Sequence, residues 1–566
     1  MKKFDSRVQE RVAWLLLAVI VIVYVVFISQ QVLLRYDIFK ATAFDLGNMD
    51  QVLWNTLHGR PFQFTNQGVD WYGPPTRLAI HFEPIILPLS LLYLFQPQPY
   101  ILLVFQTLAL ALGAVPVFLI ARRRVAEFPL FAVVMAALYL LMPALLGINL
   151  FDFHPVSLAT PLLLYAVLAI DCRRYMWGIV AVILAAACKE DVPMTVALLG
   201  LLLVWKYKLP PRLGTVLIVG GLLWSLLAFF VIIPHFYPGA QHNNYWYRYE
   251  ALGSSPGAAI VNILLHPWLL FTTFITLDRF YYLVNLLRST GFLALLAPEW
   301  LLPALPALAI NLLSTDSLLY SGVFQYNATI IPFIMLASIE GTRRIIILWH
   351  IWRGDFTALL STKNVIVQQK TLLARFMQGV SISLLHRFRC MTVTLAQAGN
   401  RQWQRFSDSM IPLAKSLGNA RLQQVRYGWL LAMCIFNFVI MAPLLSAFWP
   451  DHPLGSREQH IEHLLAMIPP SASVSASSTL NPHLSQRLYI TLFPEITFSS
   501  SVKHVNNIVQ YIIVDLDSLF PEDRVKTTNE LNQLVNSGQF RVLARAEGVV
   551  LLARAFHQRK LLSDEE

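Results

Sequence analysis

Residues 12 to 29 form an uncharged, apolar run that is long enough for one helix to cross the hydrocarbon core of a bilayer. Basic residues precede the run and no small-residue cleavage site follows it, so we interpret it as an uncleaved first span. Comparable apolar runs recur along a chain that is 56% hydrophobic and only 13% charged. A soluble domain carries about 25% charged residues. The chain is therefore expected to be an all-α polytopic membrane protein.

Basic clusters at the ends of the apolar runs predict the orientation of these spans. Residues 100 to 121 end at Arg122, Arg123 and Arg124, which the positive-inside rule places in the cytoplasm together with the N-terminus. Residues 31 to 83 then become an acidic outer loop, and the short apolar run 85 to 95 becomes a helix at the outer surface. About eleven spans are expected, at 12–29, 100–121, 128–150, 156–170, 175–188, 192–205, 214–233, 281–297, 299–313, 327–342 and 427–447.

One segment of the sequence accounts for the net charge of +11. Residues 343 to 426 hold thirteen Lys or Arg against two Asp, so the rest of the chain is neutral. We expect a membrane domain over 1–345, a basic cytoplasmic insert over 346–426 and a last transmembrane helix over 427–450. The insert mixes Leu, Phe and Met with Arg, which is typical of helices on an anionic inner leaflet. No nucleic-acid-binding module accompanies the charge, and we expect no nucleic-acid partner.

Residues 451–566 return to ordinary polarity. Strand-like runs such as YIIVDL and VVLLAR alternate with helix-like stretches there, which predicts a small C-terminal α/β extracytoplasmic domain. The four Cys residues have no CxxC spacing, and they indicate neither a disulfide framework nor a zinc site.

Ionisable triplets stand before a helix-starting proline at three places, all on the expected outer side. They are His81, Phe82 and Glu83 before Pro84; Asp152, Phe153 and His154 before Pro155; and Lys189, Glu190 and Asp191 before Val192 and Pro193. Each triplet alone is explained by helix capping. Three together at one membrane face favour a shared functional site, since ionisable groups at that depth are costly.

The outer loop adds the segment FDLGNMDQVLWNTLHGRP at residues 44 to 61. Asp45 is expected to cap a helix from Leu46 to about His58, which Gly59 ends. Asp50 would lie about 140° around that helix, away from Asp45 unless the backbone near Gly47 is irregular. The local sequence leaves capping and catalysis both open for Asp45.

These residue types suit chemistry on a phosphate-linked group. Carboxylates can take a proton from a hydroxyl or hold a divalent cation, and Lys and His can neutralise phosphate. A transporter or flippase for an anionic or lipidic solute would use the same charges without chemistry, although it would favour ionisable groups near mid-membrane. A catalytically silent envelope scaffold is a third possibility.

Several motifs, in order, resemble a family of bacterial predicted membrane proteins of unknown function. They are FDLGNMDQVLW, HFEP, FDFHP, KED, YWYRYE to LGSSP, LLAPEWLLPALPALAINLLS and QYNATIIP within residues 40 to 345, and SVSASSTLNPHLSQR at 473 to 487. That family is grouped with the GT-C glycosyltransferases, which implies a GT-C-like fold in a bacterial plasma membrane. It also implies a polyprenyl-phosphate sugar donor and an acceptor that the sequence does not name.

The resemblance implies roles for particular residues. Asp45 would be the general base, and Asp50 would have a supporting catalytic or metal-holding role. The donor phosphate or substrate would be contacted by His81, Glu83, His154, Lys189, Tyr247, Arg248, Gln325 and Tyr326. Asp152, Glu190 and Asp191 would hold Mg²⁺ or Mn²⁺ if a metal is used. The prolines at 298, 303 and 306 would either admit the lipid tail or simply kink the helix.

Overall fold

The computed structural model of the protein describes residues 6–66, 76–125, 129–207, 209–237, 244–352, 449–499 and 506–555, with isolated positions between 432 and 446. The basic insert, most of the last expected span and the C-terminal tail lie outside the described residues.

Helices dominate the first 352 residues. The α-helices are α1 Ser6–Asp37, α2 Asn48–Leu57, α3 Ile86–Ser90, α4 Tyr100–Leu112, α5 Ala114–Arg124, α6 Pro129–Leu140, α7 Pro143–Leu150, α8 Ala159–Asp171, α9 Tyr175–Ala186, α10 Val192–Tyr207, α11 Pro211–Leu227, α12 Ile233–Phe236, α13 Pro256–Leu265, α14 Trp268–Phe274, α15 Leu277–Arg288, α16 Leu305–Leu312 and α17 Ile331–Trp352. Segments of 3-10 or π helix connect several of them, among which Ala43–Gly47, Pro155–Leu158 and Asn244–Leu252 bear on the site.

The expected count of eleven spans is not confirmed. Within the described ranges, three helices are long and apolar enough to cross a membrane: Val8–Asp37, Tyr100–Arg124 and Pro211–Phe236. The number rises to five if each of two bent helix pairs is counted as one span. These pairs are Leu130–Leu140 with Pro143–Leu150, and Tyr245–Leu265 with Trp268–Phe274. The apolar stretch 281–313 forms short pieces, since its prolines lack the amide proton that a continuous helix needs.

Apolar side chains remain on the outside of the bundle. Ile22 is 60% exposed, Trp177 and Trp205 are each 68% exposed, and Phe230 is 68% exposed. Such residues on the outer faces of packed helices are typical of contact with lipid.

Charged groups gather at the two ends of the helix bundle. Glu10 pairs with Arg122 near the start of α1, and Arg35 pairs with Asp152 near its end. These two α1 residues are 25 positions apart, or about 38 Å along a helix. The described basic clusters lie at the same end of the bundle as Glu10. There Arg124 pairs with Asp171 at 3.1 Å, and Glu299 pairs with both Lys206 and Arg344. The assignment of this end to the cytoplasm stays a prediction.

The C-terminal domain is α/β, as its sequence predicts. Its mixed five-stranded sheet has the order β2, β1, β5, β7, β6, in which β1 runs parallel to β2 and β5, and β7 runs antiparallel to β5 and β6. A separate antiparallel pair joins β3 and β4. The elements are α18 Ser456–Ala466, β1 Val474–Ala476, β2 Ile490–Leu492, β3 Thr497–Ser499, β4 Asn506–Ile508, β5 Tyr511–Asp515, α19 Pro521–Asn536, β6 Phe540–Ala546 and β7 Val549–Arg554.

Candidate active site

Asp45 lies in the π-helical turn Ala43–Gly47, which leads directly into α2. The Gly47 amide donates to the Thr42 carbonyl at 3.0 Å, one residue further back than in an α-helix. Wide turns of this kind occur frequently at functional sites. The expected N-cap role of Asp45 is wrong, because Thr42 precedes the turn and the Asp45 carboxylate bonds away from its own helix. The end of α2 follows the prediction, with Gly59 at φ +76°.

Two of the proline motifs also differ from the capping expectation. No side chain caps the helix that starts at Ile86 or the turn that starts at Pro155. The ionisable side chains there are turned toward partners on other segments, which leaves capping without support as their purpose.

The central contact of the site joins Asp45 to His154. Oδ1 of Asp45 lies 2.8 Å from Nε2 of His154, whose Nδ1 is 2.9 Å from the main-chain oxygen of Asp152. A carbonyl oxygen can only accept, so Nδ1 carries a proton and Nε2 shares a second proton with the carboxylate. Burial alone would raise the pKa of Asp45, but the charge of His154 holds it below its usual value. Burial would lower the pKa of His154, but Asp45 raises it, so each residue stabilises the charged form of the other.

The second oxygen of Asp45 is the more available one. The Thr42 hydroxyl has one proton and two carboxylate neighbours, Oδ2 of Asp152 at 2.9 Å and Oδ2 of Asp45 at 3.3 Å. The shorter contact favours donation to Asp152. Oδ2 of Asp45 is thus not fully committed to Thr42, and the Asp45 side chain as a whole is 24% exposed.

Asp152 is a buried anchor for this arrangement. Its carboxylate is fully buried and receives the Arg35 guanidinium at 2.6 Å and the Thr42 amide at 2.9 Å. Arg35 belongs to the last turn of α1. The end of the first helix, the start of the π turn and the loop before Pro155 are thus held together by one carboxylate.

A second group of ionisable residues forms around Glu190. Nδ1 of His81 lies 2.8 Å from Oε1 of Glu190, and the Phe82 amide donates to Oε2 at 3.2 Å. Burial would raise the pKa of Glu190, but His81 brings it to about 2. Beside this pair, Arg77 donates to both oxygens of Glu83 at 2.7 and 3.3 Å.

Arg77 connects the two groups electrostatically. Burial raises the pKa of Asp45, but the charges of His154 and, more weakly, Arg77 lower it. Burial would lower the pKa of Arg77 itself, but Glu83 and, more weakly, Glu190 raise it. The outer loop and the segments at 151–154 and 189–191 therefore converge at one end of the bundle.

A cavity lies beside Lys189 and Tyr326. Its lining is Val156, Lys189, Asp191, Ala307, Ile310, Asn311, Gln325, Tyr326 and Thr329. Nζ of Lys189 is 3.5 Å from Oδ2 of Asp191. Oδ1 of Asp191 and Oε1 of Gln325 are buried and accept no hydrogen bond from any described residue. The cavity thus combines one cation with two acceptors that lack donors.

Arg248 lies among aromatic rings next to these residues. Its Cζ is 4.6 Å from the ring centroid of Tyr245, 5.6 Å from that of Tyr247 and 6.0 Å from that of Tyr326. The guanidinium also pairs with Asp316 at 3.1 Å. The His81 ring stacks on Tyr245 with centroids 5.6 Å apart, so the YWYRYE segment contacts the Glu190 group.

Asp50 lies apart from Asp45 and its partners. Its carboxylate is fully buried and accepts hydrogen bonds from Tyr93 at 2.5 Å, Ser485 at 2.5 Å and Gln486 at 2.9 Å. Burial raises the pKa of Asp50 to about 6 in spite of these bonds. The irregular turn at Gly47 does not bring Asp45 and Asp50 together, since the two carboxylates contact different residues. The buried surroundings of Asp50 favour a positioning role for it.

The three carboxylates expected to hold a metal each contact a basic side chain. In the part of the chain that the structure describes, no group of three or more His, Cys, Asp or Glu side chains is placed to hold a metal ion. Asp152, Glu190 and Asp191 contact Arg35, His81 and Lys189 respectively. A role for Mg²⁺ or Mn²⁺ stays a prediction.

Sequence reasoning missed the cations that hold the carboxylates. It gave no role to Arg35, to Arg77 or to the Thr42 hydroxyl. A signal existed for Arg35, which lies at the end of an apolar span where a charge is costly without a partner. Arg77 belongs to no pattern that would have indicated its contact with Glu83.

The fold and the site define a helical membrane protein with paired ionisable residues at one end of its bundle and a C-terminal α/β domain at the same end. The chain belongs to the family described as Predicted membrane protein (DUF2079), which matches residues 35–378 and 429–551. Among solved structures, it is similar to the archaeal oligosaccharyltransferase AglB from Archaeoglobus fulgidus in complex with an inhibitory peptide and a dolichol-phosphate. That match has a TM-score of 0.34 and 12% identity, and covers 96% of this chain and 75% of AglB. No curated protein matches the chain.

Proposed function

We propose that this protein is an integral membrane glycosyltransferase-like enzyme. It transfers a sugar from a polyprenyl-phosphate-linked donor to an acceptor hydroxyl at the outer face of a bacterial plasma membrane.

The observation that carries the proposal is the state of Asp45. This carboxylate is ionised and partly exposed, one oxygen is held by His154, and the other is not fully committed to Thr42. A base needs this combination of a fixed position, a charged form at working pH and an open oxygen. Arg77 supplies positive charge that acts on Asp45.

The reaction would proceed in one displacement. Oδ2 of Asp45 takes the proton of the acceptor hydroxyl as that oxygen forms a bond to the anomeric carbon of the donor. The bond from the anomeric carbon to the phosphate oxygen breaks, and the polyprenyl phosphate leaves with the electron pair. Lys189 would stabilise the charge on the departing phosphate.

The cavity beside Lys189 supports this assignment of the donor. The ammonium group suits a phosphate, whereas the unpaired oxygens of Asp191 and Gln325 need hydrogen-bond donors such as sugar hydroxyls. A phosphate-linked sugar carries both kinds of group, so it would satisfy all three side chains at once.

The test uses the full-length protein in nanodiscs with radiolabelled polyprenyl-phosphate sugars. We expect transfer, or slow donor hydrolysis without acceptor, and we expect Asp45→Asn to lower turnover by about 100-fold or more. Glu250→Gln is the matched control, since Glu250 is an exposed carboxylate near the same end. Absence of transfer and hydrolysis, with solute uptake intact in vesicles, would replace the enzyme by a transporter. Full activity in Asp45→Asn would remove Asp45 as the base.

A further inference from the structure

The turn that carries Asp45 is held from two sides. The membrane domain holds it through His154 and Asp152, as described above. The opposite side faces the loop 477–487 of the C-terminal domain, a segment that the proposed reaction leaves without a role. The contacts between the two join residues more than 400 positions apart, so only the tertiary fold brings them together.

The buried carboxylate of Asp50 is the centre of this interface. Among the described residues, Ser485 and Gln486 of the C-terminal domain donate to it, and so does Tyr93 of the 3-10 turn Leu91–Leu94, which follows α3. A carboxylate buried in this way is costly unless its oxygens are satisfied. Asp50 therefore links the outer loop to the C-terminal domain through hydrogen bonds that undocking would remove.

Gln51 and Thr65 extend the interface along the strand β2. Nε2 of Gln51 donates to the Arg487 carbonyl at 3.0 Å, and its Oε1 accepts from the Thr65 amide at 2.8 Å. The Thr65 hydroxyl oxygen lies 3.0 Å from both the amide nitrogen and the carbonyl oxygen of Ile490. The outer loop therefore bonds to the domain through main-chain groups as well as side chains.

The π turn itself also contacts the domain. The Ala43 amide lies 3.4 Å from Oγ of Ser478, and the Ala43 carbonyl accepts from Asn66 at 3.0 Å. Asn66 in turn accepts a hydrogen bond from Asn481. A Cβ atom added at Gly47 would lie 2.5 Å from Oδ1 of Asn481, which shows how closely the backbone of the turn approaches the domain.

The end of α1 is attached to the same loop. The rings of Tyr36 and His483 stack with centroids 4.0 Å apart, and Nε2 of His483 lies 3.1 Å from the Tyr36 carbonyl. Arg35, the neighbour of Tyr36, is the cation that fixes Asp152. One domain loop thus contacts both the turn of Asp45 and the helix end that orients its partners.

We infer that the loop 477–487 of the C-terminal domain is part of the active site, where Ser478, Asn481, Ser485 and Gln486 position the π turn that presents Asp45. These are positioning residues, since none of them touches the proposed substrate. The inference rests on the proposed function in so far as Asp45 acts as the base. The docking itself is a separate claim that can be measured without turnover.

The experiment compares wild type with Gln486→Ala, Asp50→Ala and the control Asp523→Asn in the full chain. Hydrogen exchange of the amides in residues 42–50 reports the docking, and steady-state kinetics report its consequence. We expect exchange in 42–50 to accelerate at least tenfold in the first two variants. We expect kcat to fall at least tenfold while the donor KM changes less than threefold. Asp523 is an exposed residue at the start of α19, and its variant should match wild type.

Two outcomes would overturn the inference. Unchanged exchange in both interface variants would show that the loop does not hold the turn. Accelerated exchange with unchanged kcat would show that the held position does not matter for turnover. If wild type lacks transferase activity, the proposed function fails, while the exchange measurement still decides whether the domain holds the turn. Asp50→Ala could impair folding. Gln486→Ala removes the hydrogen bond from Gln486 to Asp50 and keeps the carboxylate, so it tests the docking even if Asp50→Ala fails to fold.

Discussion

The imidazole Nε2 of His154 lies 2.8 Å from Oδ1 of Asp45, and this contact joins two residues that are 109 positions apart. Because the other imidazole nitrogen is committed to a main-chain carbonyl, the ring is held in one orientation. His154 is therefore placed to set the charge of Asp45 as well as its direction.

Replacing His154 by Gln should shift the activity toward higher pH. In wild type the pKa of Asp45 lies below its usual value and that of His154 above its usual value, because each residue stabilises the charged form of the other. Without the imidazolium, burial raises the pKa of Asp45. On the acid side of the profile, the rate then falls about tenfold for each pH unit below that raised pKa. The pH profile of kcat/KM measures this change. His58→Gln, at an exposed histidine of α2's end, should leave the profile unchanged.

The buried ion pair of Asp152 should matter far more for stability than an exposed pair nearby. Asp152→Asn leaves Arg35 charged in a buried site, and loss of one partner of such a pair costs about 3–5 kcal/mol. Lys40→Met removes the ion pair with Asp451, in which the Lys40 side chain is 44% exposed and the Asp451 side chain 58%. This change should lower the free energy of unfolding by about 0–1 kcal/mol. Denaturation in detergent measures both changes in the free energy of unfolding. Equal losses would contradict the anchoring role of Asp152.

The buried Asp50 predicts a specific pH dependence of stability. Its pKa is about 6 in the folded protein against 3.8 as the ordinary value, so between these pH values the folded state binds more protons than the unfolded state. The contribution of Asp50 to stability is thus largest below about pH 4 and is lost as pH rises through 6, a change of about 3 kcal/mol. Asp50→Asn should lack this component, and Asp523→Asn should retain it. Denaturation midpoints at several pH values between 4 and 7.5 provide the comparison.

Lys189→Met should weaken binding of the donor phosphate. The ammonium group lines the cavity and its charge is only partly offset by Asp191 at 3.5 Å. We expect the Kd for polyprenyl phosphate without sugar to rise at least tenfold, as measured by equilibrium binding in nanodiscs. Lys526→Met, on an exposed face of α19, is the control. Unchanged affinity in Lys189→Met would place the phosphate elsewhere.

Local signals predicted several elements of the fold correctly. The first helix, the end of α2 at Gly59, the helix start at Pro155 and the α/β character of the C-terminal domain each depend on residues within one or two turns of each other. The span count was less predictable, because hydrophobicity does not indicate where a proline divides an apolar run into short helices. The placement of Asp45 was missed for a similar reason, since nothing in its neighbours distinguishes a π turn from a capped α-helix.

The sequence by itself determined that this chain is a helical membrane protein whose basic clusters share one end of the bundle, since hydrophobicity and charge act through short stretches of chain. The tertiary structure alone decided which charges meet. Arg35 reaches Asp152 across 117 positions, and Ser485 reaches Asp50 across 435. Such pairs form because a buried charge needs a partner, and only the packing of distant segments determines which partner is near enough to satisfy it.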